Sequence, residues 1–269
     1  MTDKSLRAVT TVEENPRSVS RRRAEPSPAG PAALTEAPEV QVSPTPIQAA
    51  VQASGSLLNE EFRLLAARVR TMGESAPFRV IGIVSAVASE GKTTVALGLA
   101  TTLARATQQR VLVIEADLRN PSLERTLGLS RAEGVSDWLA GSATSAPVRR
   151  LAGGLVGLLP AGTATLENMD ALGSERMASL VAAGREGFPY VILDCPPLIP
   201  IADAVALQDH VDGFLMVVRA GQVPREALVR AAERVKAGRI RGLVFVDEPE
   251  ILAKDSTYGY RRYSEPPPR

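Results

Sequence analysis

The segment Ala86-Val87-Ala88-Ser89-Glu90-Gly91-Lys92-Thr93-Thr94 carries the clearest chemistry in the chain. It fits the pattern G-x-x-x-x-G-K-[ST], with Ala86 in the first glycine position. Backbone N–H groups of such a loop point inward at a helix N-terminus and bind phosphate oxygens. Gly91 lets the backbone approach closely, Lys92 places a point charge on the β- and γ-phosphates, and the Thr93 hydroxyl ligates Mg²⁺. Ser89, Glu90, Gly91, Lys92, Thr93 and Thr94 are therefore the candidate nucleotide-binding residues, with ATP and Mg²⁺ as the cofactors.

Carboxylates stand at two further points. The apolar run Val111-Leu112-Val113-Ile114 ends in Glu115-Ala116-Asp117-Leu118-Arg119, and Val191-Ile192-Leu193 ends in Asp194-Cys195-Pro196-Pro197. Strand C-termini and helix N-termini share one edge of a parallel α/β sheet, so these acids are expected to converge on the phosphates. Mg²⁺ needs only one or two carboxylates besides phosphate and water, which these acids could supply beside Thr93.

Positioning this set requires strands that enter the loops and helices that leave them. Phe78–Ser85, Arg110–Ala116, Gly154–Leu159, Tyr190–Asp194, Gly213–Val218 and Ile240–Val246 read as apolar strands. Asn59 is the expected cap of a helix from Glu60 to Arg70 with Phe62, Leu65 and Val69 on one face. Further helices are predicted over Thr93–Ala106, Glu175–Arg185 and Arg225–Lys236, with short helices and loops between Pro121 and Ala146. The fold class expected is α/β, a doubly wound, mostly parallel sheet with helices on both faces. Residues 1–55 are rich in Pro, Ser, Ala and charge, and are expected to be a disordered tail. A nucleotide-binding domain over 56–252 and a flexible C-terminal tail over 253–269 complete the organisation.

Composition removes other chemistries. Cys195 is the single cysteine, which excludes a disulfide framework and a cysteine-rich zinc site, and His210 is the single histidine, which argues against a His-based metal site or a Ser-His-Asp triad. The net charge of +1 gives no global field for nucleic acid. No apolar run approaches the roughly 18–20 residues of a membrane span, and no apolar segment of a signal peptide follows Met1. The expectation is a cytoplasmic protein. Arg21-Arg22-Arg23 reads as a solvated charge cluster.

From about Glu60 to Tyr263 these residues resemble the bacterial tyrosine kinases, the capsular and exopolysaccharide autokinases related to MinD and ParA P-loop ATPases. Glu90-Gly91-Lys92-Thr93-Thr94 is similar to the family's phosphate loop, Ile114-Glu115-Ala116-Asp117-Leu118-Arg119 to its Walker A′ motif, and Asp194-Cys195-Pro196-Pro197 to its Walker B motif. Leu159-Pro160-Ala161-Gly162 with Arg176-Met177, and the cluster Tyr258, Tyr260 and Tyr263, also look like the family. Departures are Glu115 for the first Asp of the Walker A′ motif and Ala66 for the second Arg of the ExxRxxR assembly motif. Ser89 replaces a glycine, and Val246-Asp247 stands where an adenine-reading Asn is usual. Val87 replaces the signature lysine of MinD and ParA.

The resemblance implies an ATP-dependent, non-specific protein-tyrosine kinase that regulates exopolysaccharide or capsule synthesis and export. Lys92, Glu115, Asp117, Arg119 and Asp194 would carry catalysis, Thr93 and Asp117 would organise Mg²⁺ with Asp194 close by as the metal-binding set, and Tyr258, Tyr260 and Tyr263 would receive the phosphate from a neighbouring subunit. It implies assembly through the Glu60–Arg70 helix and attachment to the inner membrane through a chain-length-regulator-like activator. A nucleotide-binding scaffold of the same family and a MinD/ParA-like ATPase switch are the alternatives.

Overall fold

The computed structural model describes residues 34–40, 49, 51, 53, 56–151, 153–163, 170–200 and 202–246. Arg21-Arg22-Arg23, Asp247, Tyr258, Tyr260, Tyr263 and the proposed C-terminal tail lie outside the described residues. Eight strands form one sheet: β1 (Leu34–Val40), β2 (Val80–Ser85), β3 (Val111–Glu115), β4 (Ala146–Leu151), β5 (Val156–Leu159), β6 (Tyr190–Asp194), β7 (Gly213–Arg219) and β8 (Ile240–Val246). Their spatial order is β1-β4-β5-β3-β6-β2-β7-β8. From β5 to β8 every neighbouring pair is parallel, as the apolar runs predict.

Two features depart from the sequence reading. β4 runs antiparallel to β5, and β1 pairs in parallel with β4. Residues 34–40 are thus an edge strand inside the stretch that composition assigns to a disordered tail. Pairing with β4 supplies the backbone partners, and Glu36 adds an ion pair to Arg110 at 2.9 Å.

Helices α1 (Leu57–Ser75), α2 (Lys92–Thr107), α3 (Leu123–Leu127), α4 (Val135–Ala140), α5 (Glu175–Gly187), α6 (Asp203–Ala206) and α7 (Arg225–Ala232) lie between the strands. The first helix begins earlier than predicted. Its cap is Ser56, whose side chain accepts from the Asn59 N–H, while the Asn59 side chain donates to the Val51 carbonyl. None of the described helices is long and apolar enough to cross a membrane.

The central strands are buried on both faces. In β2, Val80 and Val84 join one core with Trp138, Met177 and Phe214, and Ile81 and Ile83 join the other with Leu97, Leu99 and Leu103. This two-residue alternation explains why both faces are apolar. Gly82 is required by packing, because a Cβ there would meet the Phe214 ring at 2.4 Å. On α2, a Cβ at Gly98 would meet the Phe62 ring of α1 at 2.3 Å, so the bare backbone is the socket that seats α1.

Candidate functional site

The phosphate loop leaves β2 at Ser85 and enters α2 at Lys92. Its turn is made by two left-handed residues, Ser89 at φ 66° and Gly91 at φ 93°. Only glycine takes that region without steric penalty, so Ser89 is held there by its surroundings. The Arg219 guanidinium donates to the Ser89 carbonyl at 3.2 Å. Glu90 is buried and accepts from Val87 N–H at 2.8 Å and from Arg219 N–H at 3.1 Å. The Glu90 side chain therefore organises the loop and ties it to the end of β7. Gly91 opens α2 with its N–H edge bare of any side-chain cap, and Val246 of β8 stands 3.7 Å from where a Gly91 Cβ would be.

The sheet brings the predicted acids to this loop. Asp194 sits at the end of β6, in register with Ile83 of β2 on one side and Glu115 of β3 on the other. Its backbone carbonyl accepts from both Ala116 N–H at 2.8 Å and Asp117 N–H at 3.0 Å, which places Asp117 beside it. Asp194 Oδ2 accepts from the Thr93 hydroxyl at 2.6 Å, and Asp117 Oδ2 lies 3.9 Å from Lys92 Nζ. Burial pushes the Asp194 carboxyl up to about 7, against the opposing pull of the Thr93 hydrogen bond and of Lys92. Asp117 is raised for the same first reason, with Lys92 again opposing.

Three of the sequence-predicted residues have their side chains committed elsewhere. Glu115 is fully buried; Oε1 accepts from Ser122 N–H and from Leu123 N–H at 2.7 Å, and Oε2 from Ala161 N–H at 3.2 Å. Burial raises its carboxyl too, with these three backbone donors pulling it down. Arg119, expected to steady the motif or the phosphates, forks onto Asp203 of α6 at 2.6 and 3.2 Å. The Glu90 carboxylate faces backbone rather than a ligand-binding surface. Thr94 is half-buried in the first turn of α2.

Sequence reasoning did not single out Ser122, Asp203 or Arg219. The Ser122 hydroxyl lies 2.6 Å from Thr93 Oγ1. The only local signal for Ser122 is its place ahead of a short helix. The segment Leu159-Pro160-Ala161-Gly162 clamps the start of α4: Pro160 and Ala161 carbonyls accept from Val135 and Ser136 N–H groups at 2.9 and 2.8 Å. Arg176 stacks its guanidinium 4.6 Å from the centroid of the Trp138 ring, joining α5 to α4. Ala66, at the position expected to match the second Arg of an ExxRxxR pattern, is buried in the core, and Glu60 and Arg63 pair with each other at 2.9 Å. Cys195 is buried and its thiol is pushed well up by burial, so it supplies no thiolate.

The residues fit a divalent cation with a polyphosphate. Asp194 Oδ1 is a buried oxygen without a hydrogen-bond partner among the described residues, and Thr93 Oγ1, Asp117 and Lys92 surround the same loop. An unpartnered buried carboxylate oxygen costs free energy unless something positive meets it.

No protein-family model matches the chain. Over 178 residues it is 34% identical to the succinoglycan biosynthesis transport protein ExoP of Rhizobium meliloti strain 1021, covering 65% of this chain and 22% of that protein. Over 206 residues it is 28% identical to tyrosine-protein kinase YwqD of Bacillus subtilis strain 168, covering 76% of this chain and 86% of YwqD. The kinase domain of Escherichia coli tyrosine kinase ETK superposes with a TM-score of 0.68 at 25% identity, covering 74% of this chain and 79% of that domain. The chain therefore spans about a fifth of the length of ExoP but most of YwqD and of the ETK kinase domain.

Proposed function

We propose that this chain, a relative of the bacterial tyrosine kinases, transfers the γ-phosphoryl group of ATP to tyrosine hydroxyls of its own kind. The observation that carries the reading is the convergence of Lys92, Thr93, Asp117 and Asp194 on one phosphate loop, with Asp194 Oδ1 left open.

Backbone N–H groups from Ser89 to Thr94 receive the phosphates, and Lys92 offsets charge on the β- and γ-groups. Thr93, Asp117 and Asp194 are the residues that would hold Mg²⁺. When bound, Mg²⁺ neutralises charge on the transferring group and raises the leaving tendency of ADP. A tyrosine oxygen bonds to the γ-phosphorus as the bond to the β,γ-bridging oxygen breaks. The hydroxyl proton is released to solvent as the new bond forms, while Asp117 and Asp194 stay committed to the cation. Phosphoryl transfer asks a protein chiefly for positioning and charge stabilisation, which this set supplies.

The acceptors in this reading are Tyr258, Tyr260 and Tyr263, modified in trans. The sequence around them has no aliphatic cluster for three rings to pack on. Each phosphate adds about −1.5 to −2 charges, so a modified tail is repelled by an acid-lined site and assembly loosens. Assembly would use the exposed side of α1, where Leu57 and Leu64 are 55% and 49% exposed. A chain-length-regulator-like membrane protein would recruit and activate the kinase, and the pathway served would be exopolysaccharide synthesis and export, as the name of ExoP suggests. Val87 stands where a MinD/ParA-like switch carries its lysine, which favours the kinase over that alternative.

The test mixes a Lys92→Met chain with an active copy whose three tail tyrosines are phenylalanine, in γ-labelled ATP and Mg²⁺. Label is expected on the tail tyrosines of the Lys92→Met chain. Label on Tyr190 or serine alone, or no transfer between chains, refutes the reading.

A further inference from the structure

Ser122 occupies the position just ahead of α3. A serine there ordinarily turns its oxygen back to accept an N–H of its own helix. It makes no such bond here. Glu115 Oε1, reaching in from the end of β3, takes the Ser122 and Leu123 N–H groups instead. The Ser122 hydroxyl is thereby released from capping, and it lies 2.6 Å from Thr93 Oγ1.

A proton count gives this contact its direction. Thr93 has one hydroxyl proton and spends it on Asp194 Oδ2 at 2.6 Å. The Ser122–Thr93 contact then requires Ser122 to donate. Thr93 Oγ1 is left with one free lone pair, whose direction is set by its two partners.

Glu115 is the group that makes this possible. Its two oxygens serve three backbone donors from two separate segments, Ser122-Leu123 and Ala161. An aspartate is shorter by one carbon–carbon bond, about 1.5 Å, and would not span both. The carboxylate is fully buried, with both of its oxygens on backbone donors.

We propose that Ser122 is a positioning residue for the metal-binding hydroxyl of Thr93, and that Glu115 acts through Ser122 as a backbone clamp rather than as the base for the tyrosine proton. This rests on the reading of the site as one for a Mg²⁺-nucleotide. Ser122 fixes which lone pair of Thr93 faces the loop. Glu115 fixes Ser122. The glutamate in this motif is then a reach requirement, and its extra methylene is what holds the segment before α3 against the phosphate loop.

The experiment measures ADP and non-hydrolysable ATP-analogue affinity of the full chain by calorimetry, with and without Mg²⁺. The proteins compared are wild type, Ser122→Ala, Ser122→Thr, Glu115→Asp and the Ser122→Ala/Glu115→Asp pair. Groups that orient a metal ligand are commonly worth about 10–100-fold in metal affinity. Ser122→Ala should therefore reduce the Mg²⁺-dependent gain in nucleotide affinity by about tenfold or more while leaving metal-free affinity unchanged. Ser122→Thr, which keeps the hydroxyl, should restore the gain. Glu115→Asp should show the same loss, and the double variant should be no worse than either single, as residues acting in series require. An intact Mg²⁺ gain in Ser122→Ala overturns the proposal, and so does an equal loss in Ser122→Ala and Ser122→Thr, which would make position 122 a matter of shape. Additive losses in the double variant overturn the role given to Glu115. Should Glu115→Asp fail to fold, the Ser122 comparison decides by itself. A wild-type chain that binds nucleotide with no gain from Mg²⁺ overturns the site reading itself, and that result is distinct from all of these.

Discussion

Replacing Asp194 by Asn should stabilise the metal-free protein above neutral pH while destroying its response to Mg²⁺. Asp194 is fully buried, its Oδ1 has no partner among the described residues, and its carboxyl is raised from 3.8 to about 7, chiefly by burial. A carboxyl whose folded value is raised binds more protons in the folded than in the unfolded state between those two values. The stability it contributes is complete below about 3.8 and is lost as pH rises through about 7. A span of about three pH units corresponds to at most about 4 kcal/mol. Asn mimics the neutral form: its carbonyl accepts from Thr93, and its amide leaves the same unpartnered position that protonated Asp194 leaves. The metal-free variant should thus match wild type only below about pH 3.8, and its advantage should grow as pH rises to about 7, reaching about 4 kcal/mol at pH 8. For a domain of this size, each kcal/mol is about 2–4 °C in melting temperature. Asp117 and Glu115 are raised too, so both proteins keep a residual slope and the difference between them isolates Asp194. The assay is thermal unfolding from pH 5 to 8 in chelator, repeated with Mg²⁺ and ADP. Mg²⁺ with ADP should raise the wild-type midpoint at pH 8 and leave that of the variant nearly where ADP alone puts it. Identical pH slopes in the two proteins, or a variant less stable than wild type at pH 8, would refute the account of a charged carboxylate held in place for a cation.

Lys92→Met removes the point charge beside Asp117 and should lower ATP affinity at least tenfold, since charge-assisted contacts are worth about 1.5–3 kcal/mol, while the melting curve stays cooperative; unchanged affinity by calorimetry would sink the site assignment. Gly98→Ala should push the Phe62 ring off α2, because the new Cβ would lie 2.3 Å from it. Overpacking of this kind costs about 1–3 kcal/mol, and faster amide exchange along α1 is the measurement; protection equal to wild type would show that the two helices do not pack through this socket.

Local patterns carried much of the site. A buried parallel strand is a short apolar run, and a phosphate loop is a contiguous string of residues between a strand and a helix. Both are written in consecutive residues, so β2, β3, β6, β7 and β8, the loop at Ser89–Thr94 and the acids Asp117 and Asp194 could be read in order along the chain. The order also placed those acids on one edge, because parallel strands end where their helices begin. The β1 end of the sheet was harder. β4 carries charge and proline, buries only part of its surface, and is placed by pairing with β1 on one side and β5 on the other.

The side-chain assignments within the motifs required the fold. Ser122 meets Thr93 across 29 residues of sequence, Arg119 meets Asp203 across 84, and Arg219 meets Glu90 across 129. No spacing rule links such pairs, because each forms only when separate strands end side by side. The sequence by itself determined that phosphate-binding backbone, a lysine, a threonine and acids occur in one α/β frame, since those are properties of contiguous segments. Only the tertiary structure decided which acid is open and which is enclosed. Asp194 keeps a bare buried oxygen, whereas three backbone N–H groups from two distant segments close over Glu115, and a carboxylate's chemistry follows from what its oxygens already touch.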